Sequence, residues 1–254
     1  MGHRETMVEQ FTRQAAGFAQ AAALNDASAM QMLLTAARVR SSDVVLDVAC
    51  GPGIVAAAFA AHAERVTGID LTPEMVAQAQ LRCAAQGLAN VSFAVGDVAQ
   101  LPYADRAFTI VTCRYALHHL PDPAGALAQM ARVCAPGGRV VVADIVASSD
   151  PLIARRFNEA ERARDPSHVR ALTDDEILSS MRSADLRARI AGSYRLAVEL
   201  ESVLARSAPP DPGVVRAHFE RAIATGETLG LEERRRDGAI HFAFPIVVAV
   251  GERA

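Results

Sequence analysis

Short apolar runs recur along the chain and alternate with segments of helical spacing, the pattern of a parallel sheet covered by helices. Val44-Val45-Leu46-Asp47-Val48 reads as a first strand, apolar enough to be buried on both faces. Arg65 to Ile69, Val91 to Val95, Phe108 to Cys113 and Arg139 to Ile145 read as the next four. Ala188 to Leu196 is a weaker candidate, and the strongly apolar run Ile240 to Val250 can end the sheet. Between them, Thr72 stands where a helix cap belongs and Pro73 where a missing N–H costs nothing. Asp122-Pro123 repeats the device, opening a helix with Leu127, Met130, Ala131 and Cys134 on one face that stops before Pro136-Gly137-Gly138. Thr173-Asp174-Asp175-Glu176 has the form of a capping box.

Two regions fall outside the alternation. Residues 1–40 read as a helical cap with Phe11, Ala15 and Phe18 on one face. Residues 197–238 read as a helical insertion broken by Ala208-Pro209-Pro210-Asp211-Pro212-Gly213. Both are expected to roof a site at the strand ends as a lid. The pattern predicts one α/β domain over 41–254, a doubly wound, mostly parallel sheet of seven strands. The length of 254 residues, with 51% apolar, suits a single elaborated domain. No internal repeat is evident.

Composition narrows the chemistry. All 26 basic residues are arginine, so a lysine Schiff base or lysine general base is excluded. A net charge of −3 without a basic stripe argues against nucleic acid as a partner. Cys50, Cys83, Cys113 and Cys134 lack Cys-x-x-Cys spacing and read as reduced thiols of a cytoplasmic protein, with no zinc site. No clustered ligands suggest any other metal. The alanine-rich run Ala15 to Leu24 is interrupted by Gln20 and too short to span a bilayer, and no signal peptide is read. Met-Gly-His-Arg-Glu-Thr fits the loose myristoylation pattern, which matches often by chance and is set aside. Arg234-Arg235-Arg236 beside Glu232-Glu233 reads as a solvated face.

The chemistry concentrates after the first strand. In V-V-L-D-V-A-C-G-P-G a strand feeds a tight turn at Gly51 and Gly53, where the absence of side chains lets a ligand approach the backbone. Asp70 ends the second strand, 17 residues after Gly53, where an acid can accept from both hydroxyls of a ribose. Gly96-Asp97 ends the third strand, where a carboxylate can accept from an adenine amino group. Asp47 lies within the first strand, where a buried acid is costly unless paired. A sulfonium ligand with an α-amino group would pair it. Singly, each aspartate can be a helix cap or loop residue; together they point to one site.

The segments VLDVACGPG, GIDLTPEMV, VGDVAQLPYADRAF and RVCAPGGRV resemble the class I S-adenosylmethionine-dependent methyltransferases, in particular the group related to the ubiquinone and menaquinone C-methyltransferases. The resemblance covers roughly residues 40–146 and implies a Rossmann-like sheet. CRYALHHLPDP and ERARDPSHVRALT resemble a bacterial subgroup whose acceptors are mostly unassigned. By this resemblance Asp47 and the backbone at Ala49, Cys50 and Gly51 hold the methionine part of the cofactor. Asp70 takes the ribose hydroxyls, Leu71 and Met75 flank the adenine, and Asp97 and Val98 read its edge. Arg114 and Tyr115 close the site. Two positions depart from the pattern. Ala49 replaces a common glycine, and Thr109 replaces an aspartate, which questions a structural hydrogen bond rather than cofactor binding.

Methyl transfer is an in-line displacement that positioning can largely catalyse, and a base is required only where the acceptor must lose a proton. His118, His119 and His168 are the candidates, because imidazole titrates near neutral pH. His119 is read as structural. His118 is placed facing the acceptor, and His168 on a loop over the pocket. The expected acceptor is a small molecule of quinone, phenol or amine type, and a homodimer is possible. Two rivals stand. Gly51-Pro52-Gly53-Ile54-Val55-Ala56 also fits the G-x-G-x-x-A of nicotinamide-dependent oxidoreductases, although no Tyr-x-x-x-Lys pair exists. The fold could also bind S-adenosylmethionine without transferring its methyl group.

Overall fold

The computed structural model describes residues 2–20 and 26–254, so residues 21–24 of the alanine-rich run lie outside the described residues. Eight strands form one sheet: β1 (Val44–Val48), β2 (Arg65–Asp70), β3 (Val91–Val95), β4 (Phe108–Arg114), β5 (Cys134–Ile145), β6 (Leu186–Glu199), β7 (Arg234–Arg236) and β8 (Ala239–Arg253). Their order is β3-β2-β1-β4-β5-β8-β6, with β7 paired to β8. The first five run parallel, and β8 is antiparallel to both β5 and β6. The sheet is the expected mostly parallel one with a strand more. The addition is β7, three exposed arginines in a hairpin with β8. Arg235 pairs there with Glu220 and Arg236 with Asp237, so this arginine run is a solvated face.

Among the described residues, nine α-helices accompany the strands: α1 (His3–Gln20), α2 (Ala27–Ala37), α3 (Ile54–Ala60), α4 (Pro73–Ala85), α5 (Pro123–Val133), α6 (Pro151–Arg164), α7 (Asp174–Ser183), α8 (Leu200–Ser207) and α9 (Pro212–Thr225). Strand alternation divides the core in two. Val45, Val141, Ile246 and Val248 pack toward Leu33, Phe59, Phe157 and Phe219 of α2, α3, α6 and α9. Leu46, Val140, Val142 and Val247 pack toward Leu127 and Met130 of α5 and Ile177 and Met181 of α7. Asp47 shares the face of Val45, and Asp144 that of Val140 and Val142. α1 crosses the strand ends. Gln10 and Gln14 both donate to the Ser207 carbonyl of α8 at 2.9 Å, and Thr12 donates to Glu74 of α4 at 3.0 Å.

The capping box at Thr173 and Glu176 is present in full, and Asp122 accepts from Gly125 N–H. Thr72 makes no side-chain cap, because its hydroxyl and N–H instead favour the anion of Asp70. Cys134 opens β5 rather than ending the preceding helix. That strand begins five residues before the expected Arg139 by running through Pro136-Gly137-Gly138. A Cβ on Gly138 would meet the carbonyl oxygens of Ala135 and Thr109 at 2.7 Å, so only glycine fits. Among the described residues, no helix is long and apolar enough to cross a membrane.

The amino end of β1 is fastened by a buried network. Asp43 accepts from Arg139 at 3.0 Å, from Arg40 N–H at 2.7 Å and from the Thr109 hydroxyl at 2.7 Å. Thr109 in turn accepts from Val44 N–H at 2.9 Å. The hydrogen bond put in question by the missing aspartate is therefore made by a hydroxyl. Asp43→Ala, which strands the buried Arg139 cation, is expected to cost about 3–5 kcal/mol. Thr109→Val should cost about 1–3 kcal/mol. Denaturant unfolding checks the order, and equal losses would contradict it.

Candidate active site

β1 and β4 are neighbours at which the strand order reverses, the position where open α/β sheets bind ligands. The chain leaves β1 through three left-handed residues: Ala49 at φ 52°, Gly51 at φ 51° and Gly53 at φ 76°. Cys50 N–H donates to the Ile69 carbonyl of β2 at 3.0 Å, tying the turn to the neighbouring strand. A Cβ on Gly51 would meet nothing within 4 Å, because the residue borders open space. Ala49 carries real strain, since a side chain in this region costs about 1–2 kcal/mol. Tyr115, leaving β4, is strained in the same way at φ 58°.

This turn opens a cleft of about 1010 Å³ over the carboxyl ends of β1, β2, β3 and β4. Asp47, Asp70 and Asp97 all line it, with Ala49, Cys50, Gly51, Leu71, Met75, Val98, Arg114 and Tyr115. Met7, Phe11 and Phe18 of α1 supply its apolar roof. Asp47 is 1% exposed, and its Oδ2 has no hydrogen-bond partner among the described residues. Burial pushes its carboxyl up to about 8, opposed by the Arg114 cation and the Ala56 N–H and assisted by Asp70. Burial also raises Asp70, whose Oδ2 accepts from Gly51 N–H at 2.8 Å and Oδ1 from Thr72 N–H at 2.9 Å. The Thr72 hydroxyl and Leu71 N–H also favour its anion. Asp97 accepts from Ala99 N–H at 2.9 Å through Oδ1, and its Oδ2 lies 3.5 Å from Arg4.

A second cavity of about 770 Å³ adjoins the first, sharing Phe18, Tyr115 and His119 as walls. His118 lines it, and Nδ1–H of His118 donates to Asp144 Oδ1 at 2.5 Å. Asp144 is 1% exposed and also accepts from Leu117 N–H at 2.6 Å and its neighbour Ile145 N–H at 2.7 Å. With Nδ1 committed, Nε2 is the atom of His118 left for the cavity. His119 Nδ1–H donates to Ser167 Oγ at 3.0 Å, whose hydroxyl donates to Asp165 at 2.6 Å. Burial first, then His118, holds His119 down to about 3. His168 is 3% exposed and lines neither cavity. Its Nε2–H donates to Asn158 at 2.8 Å, and burial holds it down to about 2. Among the described residues no group of three or more His, Cys, Asp or Glu could hold a metal ion.

Residues 46–142 match the family described as a methyltransferase domain. Over 179 residues the chain is 34% identical to the uncharacterized methyltransferase YcgJ of Bacillus subtilis, covering 70% of this chain and 71% of that relative. The chain belongs to the class I S-adenosylmethionine-dependent methyltransferases. The crystal structure of YcgJ matches this methyltransferase with a TM-score of 0.84 at 28% identity, over 90% of this chain and 100% of that one. The uncharacterized protein YafE of Escherichia coli is 32% identical over 70% of this chain and 86% of its own length. The ubiquinone/menaquinone biosynthesis C-methyltransferase UbiE of Bdellovibrio bacteriovorus is 35% identical over 47% of this chain and 51% of its own.

Of the expected cofactor residues of this methyltransferase, Gly53 is the one set apart from the cleft lining. Its Cβ would meet Ala79 Cβ at 2.8 Å, so glycine here lets α3 approach α4. His168 sits on the loop after α6, as expected, but lines neither cavity, with its ring 6.3 Å from that of Phe157. The sequence reading missed Asp144. Its signal was the one used for Asp47, a lone acid inside an apolar strand.

Proposed function

We propose that this enzyme binds S-adenosylmethionine in the first cleft and methylates a small molecule seated in the second cavity. The observation that carries the reading is the unsatisfied Oδ2 of buried Asp47, beside a turn whose glycine leaves room for a ligand. A carboxylate there accepts hydrogen bonds from a cationic α-amino group, which supplies the missing partner. Asp70, at the carboxyl end of β2 on the cleft lining, accepts from the two ribose hydroxyls. Leu71 and Met75 take the faces of the adenine, and Asp97 with Val98 reads its edge. Arg114 and Tyr115 close the cleft where it meets the second cavity. The bound cofactor supplies an electrophilic methyl group on a sulfonium centre.

His118 acts as the general base of this site. Asp144 fixes the tautomer with the proton on Nδ1, so Nε2 receives the proton that the acceptor's nucleophilic atom gives up as its bond to the methyl carbon forms. His119 and His168 are poor bases, since burial keeps both neutral far below physiological pH. The likeness to a ubiquinone/menaquinone C-methyltransferase supports a quinone-related ring over an amine as the acceptor.

Calorimetric titration should show S-adenosylmethionine binding with NADH not binding. Asp70→Ala should weaken the former roughly ten- to hundredfold, while Thr109→Ala leaves it unchanged. Equal affinities of the two variants, or binding of NADH alone, would overturn the assignment. His118→Asn is expected to lower kcat by about 10²–10⁴ without changing cofactor affinity. An unchanged kcat removes His118 from the mechanism.

A further inference from the structure

The second cavity mixes apolar walls with polar groups: Tyr115, His118, His119, Glu161, Asp165 and Ser207 line it together with two arginines. Ile145, Leu196, Val198, Val203 and Phe244 line its body, and Arg164 and Arg206 stand among them. The two arginines are in different situations. Arg164 donates through Nε and Nη2 to Glu161 at 2.6–3.1 Å, and Glu161 and Asp165 both favour its cation. Arg206, in the last turn of α8, makes no hydrogen bond or ion pair with any described residue. Burial and the like charge of Arg164 both weigh against its cation.

The two carboxylates that line the cavity with Arg206 are already engaged, Glu161 by Arg164 and Asp165 by the N–H and hydroxyl of Ser167. The C-terminal dipole of α8 favours a cation at this position. Its last carbonyl, however, is taken by Gln10 and Gln14 of α1, whose paired bonds fix Ser207 and with it the position of Arg206. A half-buried guanidinium facing a cavity, opposed by burial and by a neighbouring cation, calls for an anionic partner from outside the chain. Arginine, a planar fork of donors, binds carboxylate and phosphate oxygens through paired hydrogen bonds.

We propose that the acceptor carries a carboxylate or phosphate group that docks on Arg206, while its apolar body lies against Leu196, Val198, Val203 and Phe244. This deepens the proposed function and rests on the first cleft being the methyl-donor site. Arg206 is then a specificity-determining residue. It fixes which end of the acceptor enters first, and so which atom arrives between His118 and the cleft.

The test titrates decanoate, decyl phosphate and decanol by calorimetry into the full chain saturated with S-adenosylhomocysteine. At least one anion is expected to bind about tenfold or more tightly than the alcohol, and the tighter of the two identifies the acidic group. Arg206→Met should bring the anions to the affinity of decanol, leaving decanol and S-adenosylhomocysteine binding unchanged. Arg206→Lys should restore part of the difference. Equal affinity of all three probes, absence of binding by any of them, or anion binding that survives Arg206→Met overturns the proposal. Failure of S-adenosylhomocysteine to bind the unaltered chain overturns the donor-site reading instead.

Discussion

Asp47 lies in the middle of a parallel sheet with one carboxylate oxygen that no described residue satisfies. A buried polar atom left in that state costs about 1–3 kcal/mol, and more once charged. Burial answers by holding the carboxyl protonated up to about 8. Below its ordinary range, where the free acid would be protonated in any state, this arrangement costs the fold nothing through ionisation. As pH rises from that range through about 8, the unfolded chain releases the proton first and the fold loses stability. In the proposed reading, a cation bound beside it offsets this liability. The strained turn at Ala49, the open space at Gly51 and the neighbouring Arg114 all border the same floor.

The second buried acid, Asp144, solves the same problem from within. Three hydrogen bonds satisfy it, one of them from His118, so it orients that imidazole and leaves no oxygen without a partner. The two acids point to opposite faces of the sheet and serve adjoining cavities. The wall between those cavities is thin: Phe18, Tyr115 and His119 belong to both. Tyr115 is held there by its hydroxyl, 2.5 Å from that of Tyr194 in β6. Residues from α1, β6 and the segment leaving β4 thus meet where the two cavities join.

The central strands were legible because burial on both faces leaves an unbroken apolar run, and β1 falls where that run predicts; β3 also spans Val91–Val95 as read, although it is a partly exposed edge strand. The outer strands β6 and β8 extend beyond their apolar centres, since long antiparallel pairing continues where one face is polar and the run no longer signals it. β7 escaped notice because three arginines carry no strand pattern; its pairing with β8 makes it a strand. Asp70 and Asp97 were readable from their positions at or just past a strand end, and Asp47 as a lone acid inside an apolar strand. At Gly53 the sequence does not separate close helix packing from close ligand approach, because glycine serves both. Asn158, Ser167 and Arg206 carried no local signal at all, because their partners lie on distant elements and only the fold brings them together.

The measurement that bears most directly on Asp47 is the proton count of cofactor binding. Titrations of S-adenosylmethionine at pH 7, in two buffers of different ionisation enthalpy, report the protons released per site. Pairing with the α-amino group should expel the proton that burial holds on Asp47, so about one proton is released and affinity rises with pH toward 8. Binding that releases no proton and is indifferent to pH across this range would contradict the account.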